Sequence, residues 1–100
     1  MQEEQTVSLT ENEEQMIALG DASETLLGQN VFATVVNHLA ETYFQSFIST
    51  RPEDSEKREG VYAQYKALQD VIGTLRQFQS VRDQITAKYA DNLQEEMDYE

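Results

Sequence analysis

Apolar residues recur with a helical period through the middle of the chain. From residue 31 to residue 49 they form one broad face at 100° per residue, with polar residues on the opposite side. A strand, whose period is two, does not produce this pattern, so we predict a helix over about 31–49 with Asn30 as its N-cap. The apolar positions of this face are Phe32, Val35, Val36, Leu39, Ala40, Tyr43 and Phe47.

A second and longer helix is predicted after the only proline, Pro52. Proline disfavours helix at the residue before it and suits the first turn of a new helix, which places a turn at 50–52 and a helix over about 52–90. The apolar stripe of this helix changes direction halfway along. It first follows Val61, Tyr65, Leu68, Ile72 and Leu75 at coiled-coil spacing, and then Phe78, Val81, Ile85 and Tyr89, about a quarter-turn around the axis.

The two helices differ in length, and this difference predicts an interaction surface. Folded back from the turn, the first helix covers the second only to about residue 72, so the later stripe needs another cover. Either the N-terminal segment supplies it or a second subunit does, and an exposed stripe of this kind is an association site. The candidate protein-interface residues are therefore Phe78, Val81, Ile85 and Tyr89 together with Met16, Ile17, Leu26 and Leu27.

The two ends of the chain are acidic. Residues 1–29 are predicted to form an arm with a short helix, which begins at a capping box of Thr10 and Glu13 and stops at Gly20. The alternative that Asp21 to Gly28 add another turn, which would present Leu26 and Leu27, stays open here. Residues 91–100 are predicted to be a frayed acidic tail. The expected fold is all-α: an antiparallel helical hairpin over 30–90 with a long second helix, plus the short N-terminal helix or arm.

Composition limits the function classes. One hundred residues with 39% hydrophobic side chains suit one small domain. Nineteen acids against seven bases give a net charge of −12, which counts against direct nucleic-acid binding because such affinity rests on clustered Lys and Arg. No apolar run approaches the roughly 20 residues of a membrane span, so we expect no membrane contact.

Candidate chemistry is sparse. The only histidine, His38, has Glu41 three residues on, and two ligands are too few for a metal site. No serine has a general base in a recognised arrangement, and the absence of cysteine excludes thiol chemistry and disulfides. We therefore predict no catalytic, cofactor-binding or metal site and no small-molecule substrate.

Several short stretches in the middle of the chain carry a resemblance. They are Leu26-Leu27, Asn30-Val31-Phe32, Thr50-Arg51-Pro52-Glu53-Asp54, Lys57-Arg58-Glu59 and Lys66-Ala67-Leu68. Over about residues 26–78 the chain resembles a family of small helical tailed-phage proteins found near virion-assembly genes. The resemblance implies a phage origin, and with it a location in the virion or the host cytoplasm.

These observations favour a non-enzymatic virion structural or assembly protein that acts through helix-mediated protein–protein contacts. Its expected partners are other copies of itself and other virion proteins. Two alternatives remain open at this stage. One is a small-terminase-like DNA-packaging adaptor, whose ring would gather the few bases along one edge. The other is an acidic inhibitor of a host nucleic-acid-binding protein.

Overall fold

A computed structural model describes residues 8–98, without the side chains of Glu96 and Asp98, and it is helical with no strand in that part of the chain. Its helices are α1 (Glu11–Leu27), α2 (Asn30–Ile48) and α3 (Ser55–Asp98). The all-α prediction is therefore confirmed. The first seven residues of the predicted arm and the last two of the predicted tail lie outside the described residues.

Helix α1 begins where the capping box predicts and ends later than predicted. The Glu13 amide donates to Thr10 Oγ1 and the Thr10 amide donates to Glu13 Oε1, both at 3.0 Å, which satisfies two of the free N–H groups of the first turn. The predicted stop at Gly20 is wrong, because the helix continues to Leu27, in keeping with the alternative of further helix over residues 21–28. Gly20 is instead buried against α3.

Helix α2 matches its predicted range to within one residue at each end. Asn30, predicted as the N-cap, is the first helical residue, and Gln29 occupies the cap position with extended backbone angles, φ −81° and ψ 132°. Gln29 makes no side-chain cap hydrogen bond. The amphipathic face therefore defines this helix more strongly than its cap does.

The turn before α3 is longer than predicted, because it extends to Asp54 and not only to residue 52. The Asp54 amide donates to the Arg51 carbonyl at 2.9 Å, so Pro52 lies at the second position of a turn and not in the helix. Asp54 Oδ2 accepts from the Arg51 amide at 3.2 Å, and α3 starts at Ser55. At the other end the predicted helix end near residue 90 is wrong: α3 continues to Asp98, and Asn92, three residues after Tyr89, is still half-buried.

The fold divides into two compact units. Residues up to Glu24 group with residues from Leu75 onward, and Thr25–Thr74 form the second unit. The first unit packs the body of α1 on the second half of α3, and the second unit is the hairpin of α2 and the first half of α3. The boundary after residue 74 lies close to residue 72, where the length difference predicts that the cover from α2 ends.

Candidate functional site

The described part of the chain holds no fully buried apolar side chain. Its buried residues are Gly20 and Ser23, and the serine is 3% exposed. A soluble domain ordinarily buries several large apolar side chains completely. In this chain the large apolar side chains of the described residues are half-buried or exposed. The most exposed apolar side chains of the hairpin unit are Val31, Val35, Phe44, Ile48, Tyr62 and Val71.

An open groove of about 670 Å³ lies between α2 and α3 in the hairpin unit. Its walls are mainly aromatic, and two of the wall residues stand well out into solvent: Phe44 is 57% exposed and Tyr62 is 59% exposed. Large exposed aromatic side chains grouped in a concave surface are typical of binding sites. The aromatic lining consists of Tyr43, Phe44, Phe47, Tyr62 and Tyr65.

The groove is almost free of charge. Glu41 is the one charged residue in its lining, and its carboxylate accepts a hydrogen bond from Gln45 Nε2 at 2.8 Å. On the opposite wall the Tyr65 hydroxyl accepts from Gln69 Nε2 at 2.8 Å. Among Asp, Glu, Lys and Arg, the 19 residues of α2 contain only Glu41. A solvent-facing helix normally carries several charges, so this surface has the composition of an interface.

Arg58 holds the closed end of the hairpin. Its guanidinium lies 4.3 Å from the centre of the Phe47 ring, within the range of a cation–π contact. Its Nη1 donates to Thr50 Oγ1 at 3.2 Å, and the Thr50 hydroxyl donates to the Phe47 carbonyl at 2.6 Å. These contacts fix α2 against α3 beside the turn, which leaves the groove as the open part of the hairpin.

The eight interface residues predicted from the sequence are all half-buried. Met16 and Ile17 belong to the same unit as the stripe that begins at Phe78. Leu26 and Leu27 belong to the hairpin unit instead. Within the chain α1 therefore packs on α3 near Phe78, while the four stripe residues remain half-exposed, and a second subunit as a further cover stays a prediction. A smaller pocket of about 220 Å³ remains beside Ile85 and Tyr89.

The close contact of α1 with α3 depends on small residues. A Cβ atom placed on Gly20 would lie 2.5 Å from the Arg82 Cβ and 2.8 Å from the Phe78 carbonyl oxygen. One turn further along, the buried Ser23 hydroxyl donates to the Leu19 carbonyl at 2.8 Å, so its polar group is satisfied inside its own helix. Together these two residues allow α1 to approach the α3 backbone.

Arg82 flanks this contact and pairs with acids on both helices. Its Nη1 lies 2.9 Å from Asp21 Oδ1 and also contacts Glu24, and its Nη2 lies 3.0 Å from Asp83 Oδ1. Hydrogen bonds to Glu24, Asp21 and Asp83, in that order, raise the pKa of Arg82 above its ordinary value. A base whose pKa rises on folding stabilises the folded state at every pH below its ordinary pKa, which includes neutral pH.

We expect the substitution Arg82→Gln to lower the thermal midpoint of unfolding, and to lower it more at about 20 mM salt than at about 1 M salt, where charges are screened. Thermal unfolding followed by circular dichroism measures both values. Lys66→Gln is the matched control, because Lys66 pairs with Asp70 within one turn of α3, at 2.9 Å and on an open surface. An Arg82→Gln loss that is equal at both salt concentrations would contradict the role given to the ion pairs.

Other site types find no support in the described residues. Within residues 8–98 no three His, Cys, Asp or Glu side chains lie close enough to hold a metal ion. His38 is exposed on α2. No helix in the same range is long and apolar enough to cross a membrane.

Comparison with known proteins adds no relative: no protein-family model, curated protein or solved structure matches the chain. The groove is thus defined by its own geometry and composition. The sequence pattern did not select Phe44 and Tyr62, because both lie beside the apolar faces of their helices. The signal that would have found them is the near absence of charge along α2, which leaves Phe44 without charged neighbours on its own helix except Glu41.

Proposed function

We propose that this chain is a non-enzymatic assembly protein of a tailed phage, which works through helix-mediated contacts with other proteins. The observation that carries the proposal is the open aromatic groove of the hairpin unit, in a chain whose described residues include no fully buried apolar side chain. Burying such side chains in a complex is favourable by about 25 cal/mol for each Å² removed from water.

The chemistry of the groove supports a protein partner. Aromatic residues are enriched at the centre of protein interfaces and charged residues are depleted there, which is the composition of this surface. A nucleic-acid partner would need clustered Lys and Arg, whereas the groove lining contains no Lys or Arg, and Arg58 is engaged with Phe47 and Thr50.

The phage setting rests on the resemblance of about residues 26–78. That stretch contains both groove walls and nearly coincides with the hairpin unit, Thr25–Thr74. The surface proposed to bind other proteins is thus the part of the chain that carries the resemblance. On this proposal the protein is located in the virion or in the host cytoplasm during assembly.

Quantitative mass spectrometry of purified phage particles and of their assembly precursors tests the proposal. We expect a fixed copy number of the chain in one of these two fractions. Its absence from both would overturn the proposed function. Retention of duplex DNA at low salt, or capture of one basic host protein, would favour the packaging adaptor or the acidic inhibitor instead.

A further inference from the structure

We propose that the groove between α2 and α3 binds a second copy of this chain, and that the two copies associate about a two-fold axis, with α2 of each copy seated at the groove of the other. This inference rests on the proposed assembly function and names the first partner that the groove takes. In such a symmetric contact the same patch serves both copies, so the patch must be self-complementary in shape and charge.

The charge distribution restricts where two copies can meet. Residues 1–24 and 75–100 carry thirteen acids and three bases, a balance of −10, whereas residues 25–74 carry six acids and four bases, a balance of −2. Like charges repel across roughly 8–10 Å at physiological salt. Two copies that met through their first units would bring strongly negative surfaces together, and contact through the hairpin units avoids most of this repulsion.

The groove edge of α2 is suited to the symmetric contact. At 100° per residue Phe44 and Ile48 lie on the same edge of α2 as the groove residues Asn37 and Glu41, whereas Val31 and Val35 lie on the other edge. Phe44 is 57% exposed and Ile48 is 55% exposed. Glu41 is the one charged residue on the groove edge, so a symmetric contact brings two Glu41 carboxylates onto one patch, and salt that screens them favours the contact.

The exposed apolar area on this side reaches the lower end of what a stable dimer needs. The four exposed residues Phe44, Ile48, Tyr62 and Tyr65 offer roughly 350 Å² of apolar side-chain surface per copy. Interfaces are about 60% apolar, so this corresponds to roughly 600 Å² per partner, the lower end of the range for specific interfaces.

Sedimentation equilibrium of the full chain, from about 1 to about 200 µM, tests the dimer. We expect a dimer whose affinity increases by about fivefold or more between about 20 mM and about 500 mM salt, because salt screens the repulsion between the acidic units. The replacement Phe44→Lys is expected to weaken it by about tenfold or more, although this change reduces the net charge to about −11. Tyr62→Lys, on the other wall of the groove, is a second variant with the same expected effect.

The control is Leu93→Lys, which makes the same charge change at a 36%-exposed residue of the first unit. We expect its dimer affinity to stay within about twofold of the unchanged chain. Circular dichroism confirms that each variant keeps its helix content. A strict monomer at both salt concentrations, an affinity that falls with salt, or equal weakening by Leu93→Lys would overturn the proposal. A monomer that is still found in phage particles would overturn the proposed dimer alone. A dimer that is absent from particles and precursors would overturn the proposed assembly function alone.

Discussion

Replacing Gly20 with alanine is expected to lower the free energy of unfolding by about 1–3 kcal/mol, the cost of forcing extra volume into a packed contact. The new Cβ would lie 2.5 Å from the Arg82 Cβ and 2.8 Å from the Phe78 carbonyl oxygen, and neither is the flexible end of a side chain. Alanine also favours helix by about 1 kcal/mol over glycine, so a net loss means that the steric term is the larger one. Chemical denaturation followed by circular dichroism measures it.

Gly60 and Gly73 are the matched controls for this substitution. Both lie inside α3, and a Cβ at either position would meet nothing within 4 Å. We therefore expect Gly60→Ala and Gly73→Ala each to raise the free energy of unfolding by about 0.4–1 kcal/mol, since alanine favours helix and restricts the unfolded chain. If Gly20→Ala were stabilising to the same degree, α1 would not approach α3 closely at this residue.

Gly20 also shows what sequence alone misses. A glycine after an apolar run indicates a helix end, because glycine is common just past the last helical residue. The same residue type is also needed where two helices come close, and local sequence does not distinguish the two uses. Only the packing of α1 against Phe78 and Arg82 shows that Gly20 serves the second purpose. Gly73 is the opposite case: it lies inside α3, where an added Cβ atom would meet nothing within 4 Å.

The apolar periodicity predicted α2 well because it reports which face of a helix is covered. It placed α2 to within one residue, and the length difference predicted that the later half of α3 needs a separate cover. It did not reveal the groove. Phe44 and Tyr62 fall just off the apolar faces, and they form a groove only when α2 lies beside α3. The predicted interface stripe is half-covered within the first unit and stays a prediction, and the groove of the hairpin is a second candidate surface.

Two phenylalanines three residues apart on α2 separate folding from association. Phe47 is half-buried and lies under the Arg58 guanidinium, whereas Phe44 is 57% exposed. We expect Phe47→Ala to lower the free energy of unfolding by about 2–3 kcal/mol, from lost burial and the lost cation–π contact. Phe44→Ala is expected to cost less than about 1 kcal/mol in dilute solution, because it removes little buried surface.

Protein concentration distinguishes the two roles further. A dimer stabilises the folded chain by mass action, so the stability of the unchanged protein rises with concentration. Phe44→Ala removes part of the proposed interface. Its loss of folding stability relative to the unchanged chain is therefore expected to grow between about 1 and about 100 µM protein. Phe47→Ala acts mainly inside the hairpin, so its loss stays nearly constant over the same range. Denaturation curves at both concentrations measure this difference. If the loss of folding stability in Phe44→Ala does not change with protein concentration, this residue lies outside any contact between copies.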